Sequence, residues 1–219
     1  MPSLLVQVKA KMAIHAHEKV RGLLEGEYGS VFKGRSMDFD DLREYIPGDD
    51  VKDIDWKASA RSNGTLIRRY VAIRKHNILL VVNTGRSMAA TSDTGDNKRD
   101  VSVMTAGVLS YIAMKHGDLV GLVAGDVQST RYFPFKGTSV HVEHMLQHIQ
   151  SATSLEAAEG SIVRQLEYIT RNMRRRMMLV IISDESQPDP QLESLLRRLR
   201  AQHELLWVTI GDTSGLQAD

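Results

Sequence analysis

Hydrophobic positions recur with two different spacings along this chain, and the texture changes near residue 77. Beyond that point, short uninterrupted apolar runs alternate with stretches in which apolar residues return every three or four positions. Asn77–Val82, Leu119–Ala124, Met177–Ile182 and Leu205–Ile210 are the runs. Apolar runs of this length, bounded by turn residues, predict strands buried on both faces. Lys98–Lys115 carries Val101, Met104, Val108, Leu109 and Ile112 at helical spacing. Ser139 opens a second helix with Val142, Met145, Leu146 and Ile149, and Ser161–Met173 and Pro190–Gln202 read as two more. Ser129–Phe133 is a further strand, joined to Leu119–Ala124 by Gly125-Asp126-Val127-Gln128 as an antiparallel hairpin. Strands alternating with amphipathic helices predict an α/β fold: a doubly wound, mostly parallel sheet with one antiparallel edge.

Upstream the pattern differs. Leu5, Val8, Met12, Val20 and Leu23 fit a helix over Leu4–Leu24, closed by Gly22 and Gly26. Across residues 26–76, glycines and prolines interrupt every run, and a small loop-rich β subdomain is expected. Tyr45-Ile46-Pro47-Gly48-Asp49-Asp50 is a turn by chemistry, because Pro presets φ and Gly accepts positive φ. Ser62-Asn63-Gly64-Thr65 predicts a tight hairpin leading into a strand over Thr65–Val71. The organisation expected is therefore a helix (1–25), a β subdomain (26–76) and a doubly wound domain (77–219).

The 219 residues suffice for a sizeable core, and the absence of cysteine removes disulfide scaffolds, thiolate metal sites and cysteine nucleophiles. The formal net charge is +1, with 14 basic and 11 acidic residues over 1–76 and 14 and 16 over the remainder. That balance argues against a dedicated nucleic-acid binder. No apolar run approaches the ~20 residues of a membrane span, and the start of the sequence lacks a secretory pattern. The expected compartment is the cytoplasm.

In open α/β sheets, ligands bind beyond the carboxyl ends of the strands, at the point where strand order reverses. Asn83, Ser87, Ser161 and Asp184 fall there and would form a cluster of oxygen donors, the ligand type of Mg²⁺. The strand and loop pattern resembles a von Willebrand factor A domain. Its metal-ion-dependent adhesion site uses Asp-x-Ser-x-Ser, a Thr and an Asp from three loops. Asn83, Gly85 and Ser87 fall on the first motif, Ser161 on the Thr and Asp184 on the last Asp. Asn83 replaces a carboxylate and Gly85 removes a hydroxyl, so the favoured reading is helix caps and strand-end hydrogen bonds, with Mg²⁺ as the alternative.

A longer resemblance lies upstream. Asp41-Leu42-Arg43-Glu44-Tyr45-Ile46-Pro47-Gly48-Asp49-Asp50-Val51-Lys52-Asp53-Ile54-Asp55-Trp56-Lys57-Ala58-Ser59-Ala60-Arg61 is similar to the signature block of the domain of unknown function 58 family, and it sits ahead of a von Willebrand A-like domain as it does there. The resemblance extends from about residue 18 to 211. It implies a bacterial protein acting as adaptor or chaperone-like partner of a MoxR-type AAA+ ATPase, without enzymatic activity. Complete sheets of this type usually carry a further helix and strand after Leu205–Ile210, so the expectation is either a sheet short by one strand or a sequence that is part of a longer chain.

Within the block, Asp49, Asp50, Asp53 and Asp55 alternate with Arg43, Lys52, Lys57 and Arg61, which predicts an ion-pair and turn-capping network. Such a network would fix a recognition surface with Tyr45 and Trp56 as aromatic anchors. The favoured place for Trp56 itself is a plug that docks this subdomain onto the sheet. Catalysis finds little support: Asp53-x-Asp55 follows a turn rather than an apolar strand, and neither a Gly-x-Ser-x-Gly elbow nor a phosphate loop is present. His144 and His148 share a helix face at i, i+4 with His141 a turn earlier, but Glu143 precedes His144 where a zinc protease places Glu after it. Arg171, Arg174, Arg175 and Arg176, with Arg197, Arg198 and Arg200, read as solvated helix ends.

Overall fold

The computed structural model describes residues 3–15, 41–49, 51, 54–62, 64–69, 75–91, 97–184 and 189–211. The chain forms two compact units, one from residues 1–26 and 75–219 and a smaller one from residues 27–74.

The larger unit is built on five strands: β3 (Asn77–Asn83), β4 (Leu119–Gly125), β5 (Thr130–Lys136), β6 (Met178–Ser183) and β7 (Glu204–Thr209). Their order is β5-β4-β3-β6-β7, with every pairing parallel except β4 with β5. The sheet is doubly wound and mostly parallel, and its antiparallel edge is the hairpin read from the sequence. Pro134 lies in β5, where an edge strand tolerates the missing N–H. Leu79, Leu80, Val81 and Val82 are wholly buried, as are Leu179–Ile182. Each such side chain contributes about 1.5–3 kcal/mol through burial.

Four helices cover the sheet: α3 (Lys98–Lys115), α4 (Ser139–Ala152), α5 (Ile162–Asn172) and α6 (Pro190–Gln202). On one face, Leu79, Val81, Leu179 and Ile181 meet Leu166 and Ile169 of α5 and Leu195 and Leu199 of α6. Helices α3 and α4 pack on each other and on the strands. The α4 cap is Thr138 rather than Ser139, its side chain accepting from the His141 N–H; Ser139 is already helical.

Helix α1 (Leu4–His15) does not stand apart from the sheet domain as the sequence division had it. Leu5 and Val8 are buried, and α1 packs against α3 and α4. Gly107 of α3 makes the approach possible, since a Cβ there would lie 2.6 Å from Val8 Cγ2. Glu143 on α4 caps α1 from outside: it accepts from Ser3 Oγ at 2.6 Å and from the Leu4 and Leu5 N–H groups at 3.0 and 2.9 Å. Those N–H groups have no partner inside the helix. Burial alone would raise the Glu143 pKa, but these donors together with Gln147 outweigh it and hold it below its ordinary value. The stretch expected to continue this helix to Leu24 lies outside the described residues.

In the smaller unit, β1 (Asp41–Glu44) pairs antiparallel with β2 (Leu66–Arg69), from Asp41 opposite Arg69 to Glu44 opposite Leu66. A single helical turn, α2 (Trp56–Ser59), lies between them in sequence. The tight hairpin expected at Ser62–Thr65 is therefore corrected, because the partner of β2 lies beyond α2. Ser59 supplies the physical reason. Its Oγ donates to the Asp55 carbonyl at 2.7 Å and accepts from the Leu66 N–H at 2.8 Å, tying the end of α2 to the start of β2.

Candidate functional site

The strand order reverses between β3 and β6, since β3 leads through α3 to β4 on one side while β6 pairs on the other. Asn83 ends β3 and Ser183 ends β6, so the expected crevice opens beside both. Asn83 is 4% exposed and spends its whole amide there. Its Oδ1 accepts from the Gly85 N–H at 3.0 Å, which fixes the amide's orientation. Its Nδ2 then donates to Asp184 Oδ1 at 3.1 Å and approaches Ser183 Oγ at 3.5 Å, while Ser183 Oγ donates to the same carboxylate oxygen at 3.2 Å. Ser161 is the α5 N-cap and accepts from the Arg164 N–H at 3.4 Å, and Ser87 lies exposed on the 3₁₀ turn Arg86–Ala89.

The four candidate ligands thus share one end of the sheet, but their chemistry does not fit Mg²⁺. Asp184 alone would supply charge, and Asn83 turns toward it an N–H donor, which does not coordinate a cation. The room is filled as well. A Cβ on Gly85 would lie 2.3 Å from the Gly160 backbone, and one on Gly160 would lie 2.5 Å from Asn83 Nδ2. Gly160 and Ser183 are members of this cluster that the sequence pattern did not single out. Two glycines 75 positions apart carry no local signal that their backbones touch.

The signature block is arranged differently. Arg43 donates to Asp49 Oδ1 at 2.6 Å, and Asp49 Oδ2 accepts from the Ile46 N–H at 3.0 Å. The Arg43 hydrogen bond, joined by that N–H, holds the Asp49 carboxyl below its ordinary range, and Asp49 in turn raises Arg43. The brace closes the turn at Pro47-Gly48, where Gly48 takes φ +113°, a left-handed conformation favouring glycine. Tyr45 is half-buried and donates its N–H to the Thr65 carbonyl at 2.8 Å. Asp55 caps α2, accepting from the Lys57 and Ala58 N–H groups at 3.1 and 3.0 Å. Asp50 and Asp53 lie outside the described residues.

Trp56 lies outside the core of the smaller unit. It is 67% exposed, with Ile46 at 60% and Val51 at 57%, while Lys57 and Arg61 are also exposed. Its position explains this: as the first residue of a single turn capped by Asp55, it follows the cap's geometry, whereas Ile67 of β2 takes the buried position at 4%.

Other candidates resolve into packing. His148 packs tilted against Phe133, with ring centroids 5.2 Å apart, and His141 lies 6.4 Å from the same ring, while His144 is exposed. Among the described residues, no group of three or more His, Asp or Glu could hold a metal ion. Arg171 pairs with Glu167, Arg176 with Glu204 and Arg197 with Glu193, all as solvated ion pairs. Among the described residues, no helix is long and apolar enough to cross a membrane.

The uncharacterized protein Rv1480 of Mycobacterium tuberculosis is 31% identical over 200 residues, covering 89% of this chain and 61% of that protein. The uncharacterized protein YeaD of Bacillus subtilis is 30% identical over 111 residues, covering 51% of this chain and 25% of that protein. The chain thus spans about three fifths of the length of the mycobacterial relative and a quarter of the Bacillus one. Among solved structures, the SpRpn10 VWA domain overlays with a TM-score of 0.46 at 11% identity, over 66% of this chain and 79% of that one. A family description covers residues 41–217, taking in the signature block and the sheet together, and the chain belongs to that family, protein of unknown function DUF58.

Proposed function

We propose that this chain is a non-catalytic protein–protein interaction module of the cytoplasm and an adaptor for a MoxR-type AAA+ ATPase. The observation that carries the reading is the braced signature block. Arg43, Asp49 and Asp55 are spent on the turn and the cap, while Ile46, Val51 and Trp56 are left to solvent. Large apolar side chains set on a backbone braced by a turn and a cap are what a protein interface uses as anchors, because little backbone entropy remains to be lost on binding. The choice of a MoxR-type AAA+ ATPase as partner rests on the family resemblance of the signature block. Cation-dependent ligand binding through Asn83, Ser87, Ser161 and Asp184 is the less favoured reading, since the crevice is closed by hydrogen bonds.

The test is a binding measurement with the purified AAA+ ATPase encoded beside this chain, with and without nucleotide and Mg²⁺. A complex that Trp56→Ala weakens about tenfold or more supports the proposal. The absence of a complex under every condition overturns the adaptor role, and turnover in a broad hydrolase screen overturns the non-catalytic one.

A further inference from the structure

We infer that the Asn83 amide takes the place of a divalent cation, so that the carboxyl end of the sheet is locked without metal. The inference concerns the larger unit alone and stands whether or not the adaptor reading holds.

The argument starts from what a cation does at such a place. It gathers oxygen atoms from separate loops and balances the charge of a partly buried carboxylate. Here two neutral donors, Asn83 Nδ2 and Ser183 Oγ, converge on Asp184 Oδ1 at 3.1 and 3.2 Å. Charge-assisted hydrogen bonds of this kind are roughly twice as strong as neutral ones. The Asn83 carbonyl turns the other way and fastens the Gly85 N–H at 3.0 Å, so one side chain links β3, the following loop and the end of β6.

Backbone contacts complete the closure. The Thr84 N–H donates to the Gly125 carbonyl at 2.9 Å, the Arg86 N–H to the Ala158 carbonyl at 2.9 Å and the Val127 N–H to the Glu159 carbonyl at 2.9 Å. Four segments of the chain therefore meet around Asn83. Glycine at 85 and 160 lets two of them approach to a distance that no side chain would permit. Restoring a hydroxyl at position 85 would not rebuild a cation site, because the Gly160 backbone already fills that space. The lock is an alternative solution to the same charge problem, with a permanent donor in place of an exchangeable ion.

Thermal melting of the full chain tests this in EDTA and in millimolar Mg²⁺ or Mn²⁺. The wild type melts at the same temperature in all three. Asn83→Asp faces Asp184 with a second carboxylate, and in EDTA it melts about 5–10 °C lower. Mn²⁺ then recovers part of that loss, because two carboxylates suit a hard cation. A wild-type melting temperature that rises with either cation, and does so no longer in Asp184→Ala, overturns the inference. So does an Asn83→Asp variant that melts like the wild type in EDTA or gains nothing from Mn²⁺. Should Asn83→Asp not fold, Asp184→Asn keeps an amide oxygen to accept from Asn83 Nδ2. It melts within about 4 °C of the wild type, by the same margin with and without Mg²⁺, and a margin that widens with Mg²⁺ overturns the proposal.

Discussion

The crevice at the end of the sheet and the signature block in the smaller unit draw on similar residues to opposite ends. In the crevice, Asn83, Ser183 and Asp184 point their polar atoms at one another, and two glycines exclude anything further. In the block, Arg43, Asp49 and Asp55 satisfy their own turns, and the apolar side chains between them face solvent. The comparison separates polar groups that close a surface from polar groups that present one. It also explains why the residues aligned with a binding motif are the less promising place to look for a partner. The Asn83 amide and one Asp184 oxygen are already used, whereas Trp56, Ile46 and Val51 have apolar area still to bury.

The contrast can be broken at its tightest point first. Gly85→Ser forces a Cβ into the Gly160 backbone and is expected to cost about 3–5 kcal/mol in urea denaturation. A Cβ at Gly48 meets nothing within 4 Å, so Gly48→Ala suffers only from its left-handed backbone. Its expected cost is about 1–2 kcal/mol. If the two glycine variants lose stability equally, the closed and open descriptions are wrong. Asp55→Ala orphans two N–H groups of α2 and is expected to cost about 1 kcal/mol, read as faster amide exchange at Lys57 and Ala58.

A graded pH effect sharpens the same contrast. Burial pushes His141, His148 and His203 below the ordinary 6.5, with Lys136, Arg131 and Arg176 respectively adding to it. His203 is 3% exposed, and neither ring nitrogen has a partner among the described residues. Each of these rings takes its proton more readily in the unfolded chain. The stabilisation is therefore complete above about 6.5 and is lost as pH falls from there toward the lowered folded values. Residues 27–74 contain no histidine, and each unit holds one tryptophan, Trp56 and Trp207. Trp207 emission in a Trp56→Phe background should follow this acid softening, and Trp56 emission in a Trp207→Phe background should not. The smallest expected effect is on the stability of Trp56→Ala, within about 0.5 kcal/mol, because an exposed side chain has little packing to lose.

The parallel strands were the most legible part of the chain. Asn77–Val82 and Met177–Ile182 are buried on both faces, so their apolar runs announce them, and Lys98–Lys115 has the period and length of a helix. The smaller unit was less legible for a physical reason. Asp-Leu-Arg-Glu of β1 has no apolar face to advertise, and Ser59 joins α2 to β2 through hydrogen bonds that only the folded backbone brings together. The exposure of Trp56 was not legible either, because it opens a short turn whose cap, Asp55, is seen only once the chain is folded. In the crevice, Asn83 and Asp184 were legible as neighbours through strand topology. The role of Gly85 was not, because it depends on Gly160 across the fold.

The attachment of α1 to the larger unit has a mechanical consequence. The chain both enters and leaves residues 27–74 through the larger unit, so any pull on the smaller unit divides between two leads. One runs to α1, where load would peel a helix from Glu143 and from the Leu5–Val8 face one contact at a time. The other enters β3 directly through Lys75 and His76, and β3 is hydrogen-bonded to β4 on one side and β6 on the other. Load along that strand meets both ladders in shear, all rungs together. The helix is the compliant lead and the central strand is the stiff one.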